Sequence, residues 1–100
     1  MKKLPIVYLG KAQLDLIDIL KYIEKDSPAH VQSWIDRIDR SIGHLAAFPS
    51  SGVIPKDERL AAQGYRIVVI GEYLAFYVVR RNRIEIRRVL QGSRRYSFLL

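Results

Sequence analysis

The chain has no cysteine and only two histidines. The first absence excludes a disulfide scaffold, a thiol nucleophile and any cysteine-based metal site, and it fits a reducing compartment. His30 and His44 both fall in one stretch with helical periodicity. Their spacing corresponds to roughly 21 Å at ~1.5 Å per residue, too far to share a metal ion. Each reads as an exposed helical histidine. Long apolar runs are also missing. The run Leu4 to Leu9 is broken by Pro5 and ended by Gly10, short of a signal-peptide core and of the ~20 apolar residues of a membrane span. A soluble, cytoplasmic protein with no membrane contact is expected. Glycine-rich phosphate loops, HExxH, GxSxG and EF-hand spacing are absent, so no metal and no cofactor are expected. Asp15 and Asp18 stand beside lysines and read as a solvated helix face, not a carboxylate dyad.

The chain does have positive charge, and its distribution is uneven. Its 100 residues carry a formal net charge of +7. Residues 1–50 and 51–65 are nearly balanced. Residues 66–100 hold Arg66, Arg80, Arg81, Arg83, Arg87, Arg88, Arg94 and Arg95 against Glu72 and Glu85 alone. Arginine is always charged, and its planar fork matches phosphate or carboxylate. This bias reads as a surface for nucleic acid or an acidic protein partner, or as the solvated outer face of a sheet.

The length fits one domain, residues 1–100, with a modest core and any site on an open face. Residues 4–9 read as a strand held to a sheet edge by Pro5. Residues 11–25 read as a helix with Leu16, Ile17, Leu20 and Ile23 on its inner face and Asp15 and Asp18 outside. Ser27 and Pro28 suit the N-cap and first position of a second helix. Val31, Trp34, Ile35, Ile38, Ile42 and Leu45 carry that helix to about Ala47, with Asp36 and Arg40 as an outward i,i+4 pair. So short a junction forces an antiparallel αα-hairpin. Residues 48–63 read as a long connection, a type often functional. Residues 64–70, 73–81 and 83–90 read as three strands joined by tight turns at Gly71-Glu72 and Asn82, hence an antiparallel meander. Arg87-Arg88 breaks the period-two alternation, which predicts a bulge. Tyr96, Phe98 and Leu99 of the tail are expected to fold back on the sheet. The fold class is α+β, order β-α-α-β-β-β. The helical hairpin covers one face of a mainly antiparallel sheet through Leu20, Ile23, Trp34, Ile38 and Ile42, and arginines lie on the other.

One chemistry needs neither metal nor histidine. RNA is cut by its own 2′-hydroxyl when a protein cradles the phosphorane charge and moves a proton. Arg66, Arg94, Arg95, Tyr96, Lys56 and Arg59 are the right residue types for this, although any basic protein can assemble such a set.

The order of elements and several strings resemble the bacterial RelE/ParE toxin superfamily, the plasmid stabilisation family. These strings are the helix KAQLDLIDILKYIEKDSP, Leu45-Ala46-Ala47-Phe48-Pro49 followed by Gly52, Gly64-Tyr65-Arg66, Tyr73-Leu74-Ala75-Phe76-Tyr77, and Ile84-Glu85-Ile86 running through Arg87-Arg88-Val89-Leu90-Gln91-Gly92 to Ser93-Arg94-Arg95-Tyr96. The resemblance implies a toxin of a type II toxin–antitoxin system, neutralised by a cognate antitoxin encoded in the same operon. It leaves two targets. ParE-like members inhibit DNA gyrase; RelE-like members are endoribonucleases that cut mRNA on the ribosome. Leu74 stands where ribonuclease members usually carry arginine, Gln91 replaces a common histidine, and Arg95 replaces the usual acid. These departures favour the ParE-like side. In the ribonuclease alternative, Arg66 and Arg94 would stabilise the phosphorane and Tyr96 or Lys56 would move the proton. Arg59, Arg66, Arg94 and Arg95 would contact target or phosphate. Acids of the antitoxin are expected to meet Arg80, Arg83, Arg87 and Arg88, with apolar anchors in grooves beside the hairpin. A basic nucleic-acid-binding module without toxicity is the remaining alternative.

Overall fold

The structure, a computed structural model, describes residues 3–92 and 100. In chain order it contains strand β1 (Ile6–Tyr8), helices α1 (Gly10–Asp26) and α2 (Val31–Gly43), a short helix α3 (Glu58–Ala62), and strands β2 (Tyr65–Ile70), β3 (Tyr73–Val79) and β4 (Ile84–Gln91). The sheet order is β1-β4-β3-β2. β2, β3 and β4 form the expected antiparallel meander, and β1 lies parallel to β4. Ile70 pairs with Tyr73 across a two-residue turn in which Gly71 has φ +60°, a left-handed conformation that glycine adopts at no steric cost. Phe76 pairs with Arg88 and Tyr77 with Ile86, so Arg87 is the extra residue of a bulge, as the broken alternation predicts.

The αα-hairpin packs on one sheet face. Ala12, Ile38, Ile42 and Leu45 bury there against Ile70, Ala75, Tyr77, Ile84, Ile86 and Val89. Trp34 is half-buried, edge-on to Tyr73 with ring centroids 5.5 Å apart. The phase of α1 differs from expectation. Its inner stripe is Ala12, Asp15, Leu16 and Ile19, while Ile17 is exposed and Leu20 only partly buried. Apolar residues at 14, 16, 17, 19 and 20 permit more than one helical phase. The phase adopted brings Asp15 to Arg88, so Asp15 belongs to a nearly buried pair, not to a solvated face.

Three further expectations are corrected in and around α2. Ser27 makes no side-chain cap; its hydroxyl meets His30 Nδ1 at 2.9 Å, and Pro28–His30 forms a 3₁₀ turn before α2. α2 stops at Gly43 and continues as a 3₁₀ turn, His44–Ala46, that still buries Leu45. Pro49 excludes helical geometry at Phe48, whose backbone opens to φ −130°. Asp36 accepts from Gln32, and among the described residues no ion pair joins it to Arg40.

The 48–63 connection is also more ordered than predicted. It holds a 3₁₀ turn (Pro49–Ser51), a bridge between Val53 and Ile67, and α3, whose N-cap Asp57 accepts from Leu60 N–H at 3.1 Å. Aspartate three residues before a buried leucine is the cap signature that marks this helix in the sequence. α3 brings Leu60 onto the sheet face away from the hairpin. There it joins Tyr65, Ile67, Phe76, Val78 and Leu90, with Leu74 and Leu100 packed alongside. That face is therefore a second apolar cluster, not the arginine surface that the alternation suggested.

Candidate functional site

The arginines of the last third divide into groups with different surroundings. At the β3–β4 turn, Arg80 N–H donates to Arg83 C=O across residues 80–83 and brings both side chains towards Glu85. The Glu85 side chain is only 6% exposed. Arg83 donates to its Oε2, Arg87 to its Oε1 at 2.8 Å, and Arg80 lies 3.5 Å from Oε1. Arg87 also stands over the Tyr65 ring, 5.7 Å from its centroid. Burial pushes the Glu85 carboxyl up, but hydrogen bonds from Arg87 and Arg83 outweigh it and hold the group below the usual carboxylate range. Three guanidinium groups share one carboxylate here, so the turn keeps a positive excess. It is presented by Arg80 and Arg83, whose side chains are about half exposed.

Arg88 leaves this group. It forks onto Asp15 with bonds of 2.7 and 2.9 Å, and Asp15 also accepts from the Val89 N–H at 3.0 Å. β1 pairs with β4 only as far as Ile86. Asp15 thus takes up a main-chain donor beyond the end of β1. The pair is nearly buried, and hydrogen bonding to Asp15 pushes the Arg88 guanidinium still higher.

Arg66 has a third role. Its Nη1 donates to the carbonyls of Ser50 and Gly52 at 3.1 and 3.0 Å. The fully buried Tyr77 reaches the same segment: its hydroxyl donates to Pro49 C=O at 2.7 Å and accepts from Gly52 N–H at 2.9 Å. Burial pushes the Tyr77 phenol up, against the opposing effects of Gly52 and Arg66. A Cβ at Gly52 would collide with the Tyr77 ring and hydroxyl, so only glycine fits this contact. Together Arg66 and Tyr77 clamp the segment that follows α2 against the sheet.

Of the residues expected at a phosphate, Arg66 is thus turned to main-chain carbonyls. Lys56 and Arg59 are exposed at the start of α3. Arg94, Arg95 and Tyr96 lie outside the described residues, as do Phe98 and Leu99. Arg80, Arg83 and Arg87 come together, and Arg88 stands apart from them on Asp15. Sequence reasoning missed Asp15, Tyr77 and Arg40. Tyr77 had a signal in the paired tyrosines of its strand; Arg40 had none, because its i,i+4 partner was in place.

Two open grooves flank α2. One of about 590 Å³ runs between the hairpin and the β2–β3 turn, past Tyr22, Trp34 and Tyr73 with Arg37 and Arg40 at its margin. The other, about 530 Å³, lies between α2 and the outer edge of β2, lined by Arg40, His44, Leu45, Val53, Val68 and Val69. Among the described residues no helix is long and apolar enough to cross a membrane.

The search against curated proteins returned no match. Among solved structures, a chain from a chromosomal ParDE toxin–antitoxin system of P. aeruginosa superposes with a TM-score of 0.73 at 18% identity, covering 89% of this chain and 96% of that one. The family described as ParE toxin of type II toxin-antitoxin system, parDE, matches residues 6–96, nearly the whole of the sheet-and-hairpin unit described above. On that match, the chain belongs to the ParE toxin family.

Proposed function

We propose that this ParE-family chain, acting as a single domain over residues 1–100, arrests growth by a protein–protein contact that inhibits DNA gyrase, and that a cognate antitoxin from the same operon silences it in the cytoplasm. The observation that carries the choice of target is the position of Arg66. A ribonuclease of this kind needs cationic donors aimed at the reacting phosphate. Arg66 instead donates to Ser50 and Gly52 carbonyls, and Leu74, at the place of a second expected arginine, packs beside the apolar cluster of Leu60 and Phe76. The antitoxin is expected to be acidic and partly apolar. Its acids fit Arg80 and Arg83, which keep exposed charge beside Glu85 with Arg87 behind them, while Arg88 stands apart on Asp15. Its apolar anchors fit the groove of Trp34 and Tyr73.

The test is brief expression followed by parallel assays of gyrase supercoiling and of ribosome-bound mRNA. Inhibited supercoiling with intact mRNA is the expected result. Codon-phased mRNA cuts abolished by Arg94→Ala would overturn it in favour of an endoribonuclease built on Arg66, Arg94, Tyr96 and Lys56, with Arg59 and Arg95 on the substrate. Growth arrest unchanged by the neighbouring reading frame would remove the antitoxin from the reading.

A further inference from the structure

The outer edge of β2 is an unfinished sheet edge. Ile67 exchanges both main-chain hydrogen bonds with Val53, at 2.8 Å each. In an antiparallel ladder alternate residues point their N–H and C=O the same way. Val69, two residues on, therefore turns its N–H and C=O away from β3 as Ile67 does. Among the described residues neither group has a partner. The side chains at this gap are apolar and open: Val69 and Val53 are each 63% exposed, and both line the adjoining groove. The groove beside the edge is bordered by Arg40, which forms no ion pair among the described residues, and by His44. An exposed apolar strand edge is a liability that folded proteins ordinarily blunt. Here it is instead held in place, because Arg66 and Tyr77 clamp the Pro49–Gly52 segment and so fix Val53 against Ile67.

We infer that this edge is a docking strip for an extended segment of a separate polypeptide, alternately apolar and acidic, which adds a strand antiparallel or parallel to β2 at Val69. Main-chain hydrogen bonds to Val69 would supply the pairing. Apolar side chains of the segment would cover Val53 and Val69, and its acids would meet Arg40. The +7 charge of the chain disfavours a second copy as the occupant. The inference rests on the reading of this protein as one member of a complex and names a contact distinct from the arginines of the β3–β4 turn. Arg66 and Tyr77 are positioning residues for it.

The experiment uses the full chain and two synthetic peptides, one of alternating valine and glutamate and one of alternating valine and lysine. Amide hydrogen exchange is followed residue by residue. The acidic peptide is expected to slow exchange at Val69 by about tenfold or more, and the basic peptide to leave it unchanged. Arg40→Glu should weaken the acidic peptide roughly tenfold and favour the basic one. Val69→Pro removes the edge N–H where no ladder bond is lost, a position at which proline is tolerated; it should abolish slowing elsewhere along the edge. Equal effects of both peptides, no change at Val69, or slowing that depends on protein concentration without peptide would overturn the inference, the last in favour of a second copy. A cellular arm separates the two readings. If the neighbouring reading frame rescues growth equally from wild type and from Val69→Pro, the edge contact fails and the antitoxin reading stands. If it rescues neither, the antitoxin reading fails and the peptides alone decide the edge.

Discussion

The two edges of this sheet are finished in opposite ways. At the β1 side the added strand is three residues long, and beyond it a nearly buried ion pair takes over: Asp15 accepts from Val89 N–H and grips Arg88 with both oxygens. At the β2 side a single bridge, Val53 to Ile67, covers part of the edge and leaves Val69 open. The first edge is closed by charge drawn into the fold, the second held ready by polar side chains acting from behind. The difference teaches that arginine in this chain is as much a structural residue as a surface for partners. Arg88 and Arg66 serve the fold, while Arg80, Arg83 and Arg40 keep exposed charge.

Substitutions at the two edges should separate them, and the closed edge should respond most. Asp15→Ala removes the carboxylate that Arg88 forks onto and the acceptor of the Val89 N–H, which should destabilise the protein by about 3 kcal/mol in urea unfolding, the low end for a broken buried pair because both side chains keep slight exposure. A loss under about 1 kcal/mol would show that the pair is solvated. Behind the open edge, Tyr77→Phe removes one donated and one accepted hydrogen bond. It should cost about 1–2 kcal/mol and speed amide exchange at Ile67, because Val53 loses its support; unchanged exchange there would break the link between the clamp and the edge. Glu85 sits at the turn between these regions and gives a pH signature. Its carboxyl is held below the ordinary range, so the stability it contributes is present above about pH 4.5 and is lost as pH falls through its lowered folded value. Acid unfolding of Glu85→Gln should therefore begin from a lower stability at neutral pH and fall less steeply; parallel curves would assign the acid sensitivity to other carboxylates. The smallest effect belongs to the open edge itself. Val69→Lys should leave stability within about 0.5 kcal/mol, as for surface positions without partners, and a larger loss would mean that the edge is already covered.

Much of the fold was legible in the sequence. Short strand-like runs between tight-turn signals marked the three meander strands, Gly71-Glu72 marked the first of those turns, and the interrupted alternation at Arg87-Arg88 marked the bulge. The site was less legible. A strand arginine looks the same in sequence whether it faces solvent, a carboxylate or a carbonyl, so Arg66, Arg87 and Arg88 could not be told from Arg80 and Arg83. The phase of α1 was ambiguous for a similar reason, since its apolar residues allow several inner stripes.

Local pattern alone determined the elements of this protein: hydrophobic periodicity, proline and glycine placement, and the two-residue turns dictate an αα-hairpin and a meander, because these depend on neighbours a few residues apart. Charge composition likewise determined that the last third is basic. Only the tertiary structure decided which charges remain available. Asp15 and Arg88 are separated by 73 positions in the chain, as are other partners by dozens, and nothing within a helix or strand window reports a contact at that distance. Desolvation then sorts the arginines. Those drawn inward must find a carboxylate or carbonyl because an unpaired buried charge is costly. Those left at turns and groove margins keep their charge for a partner.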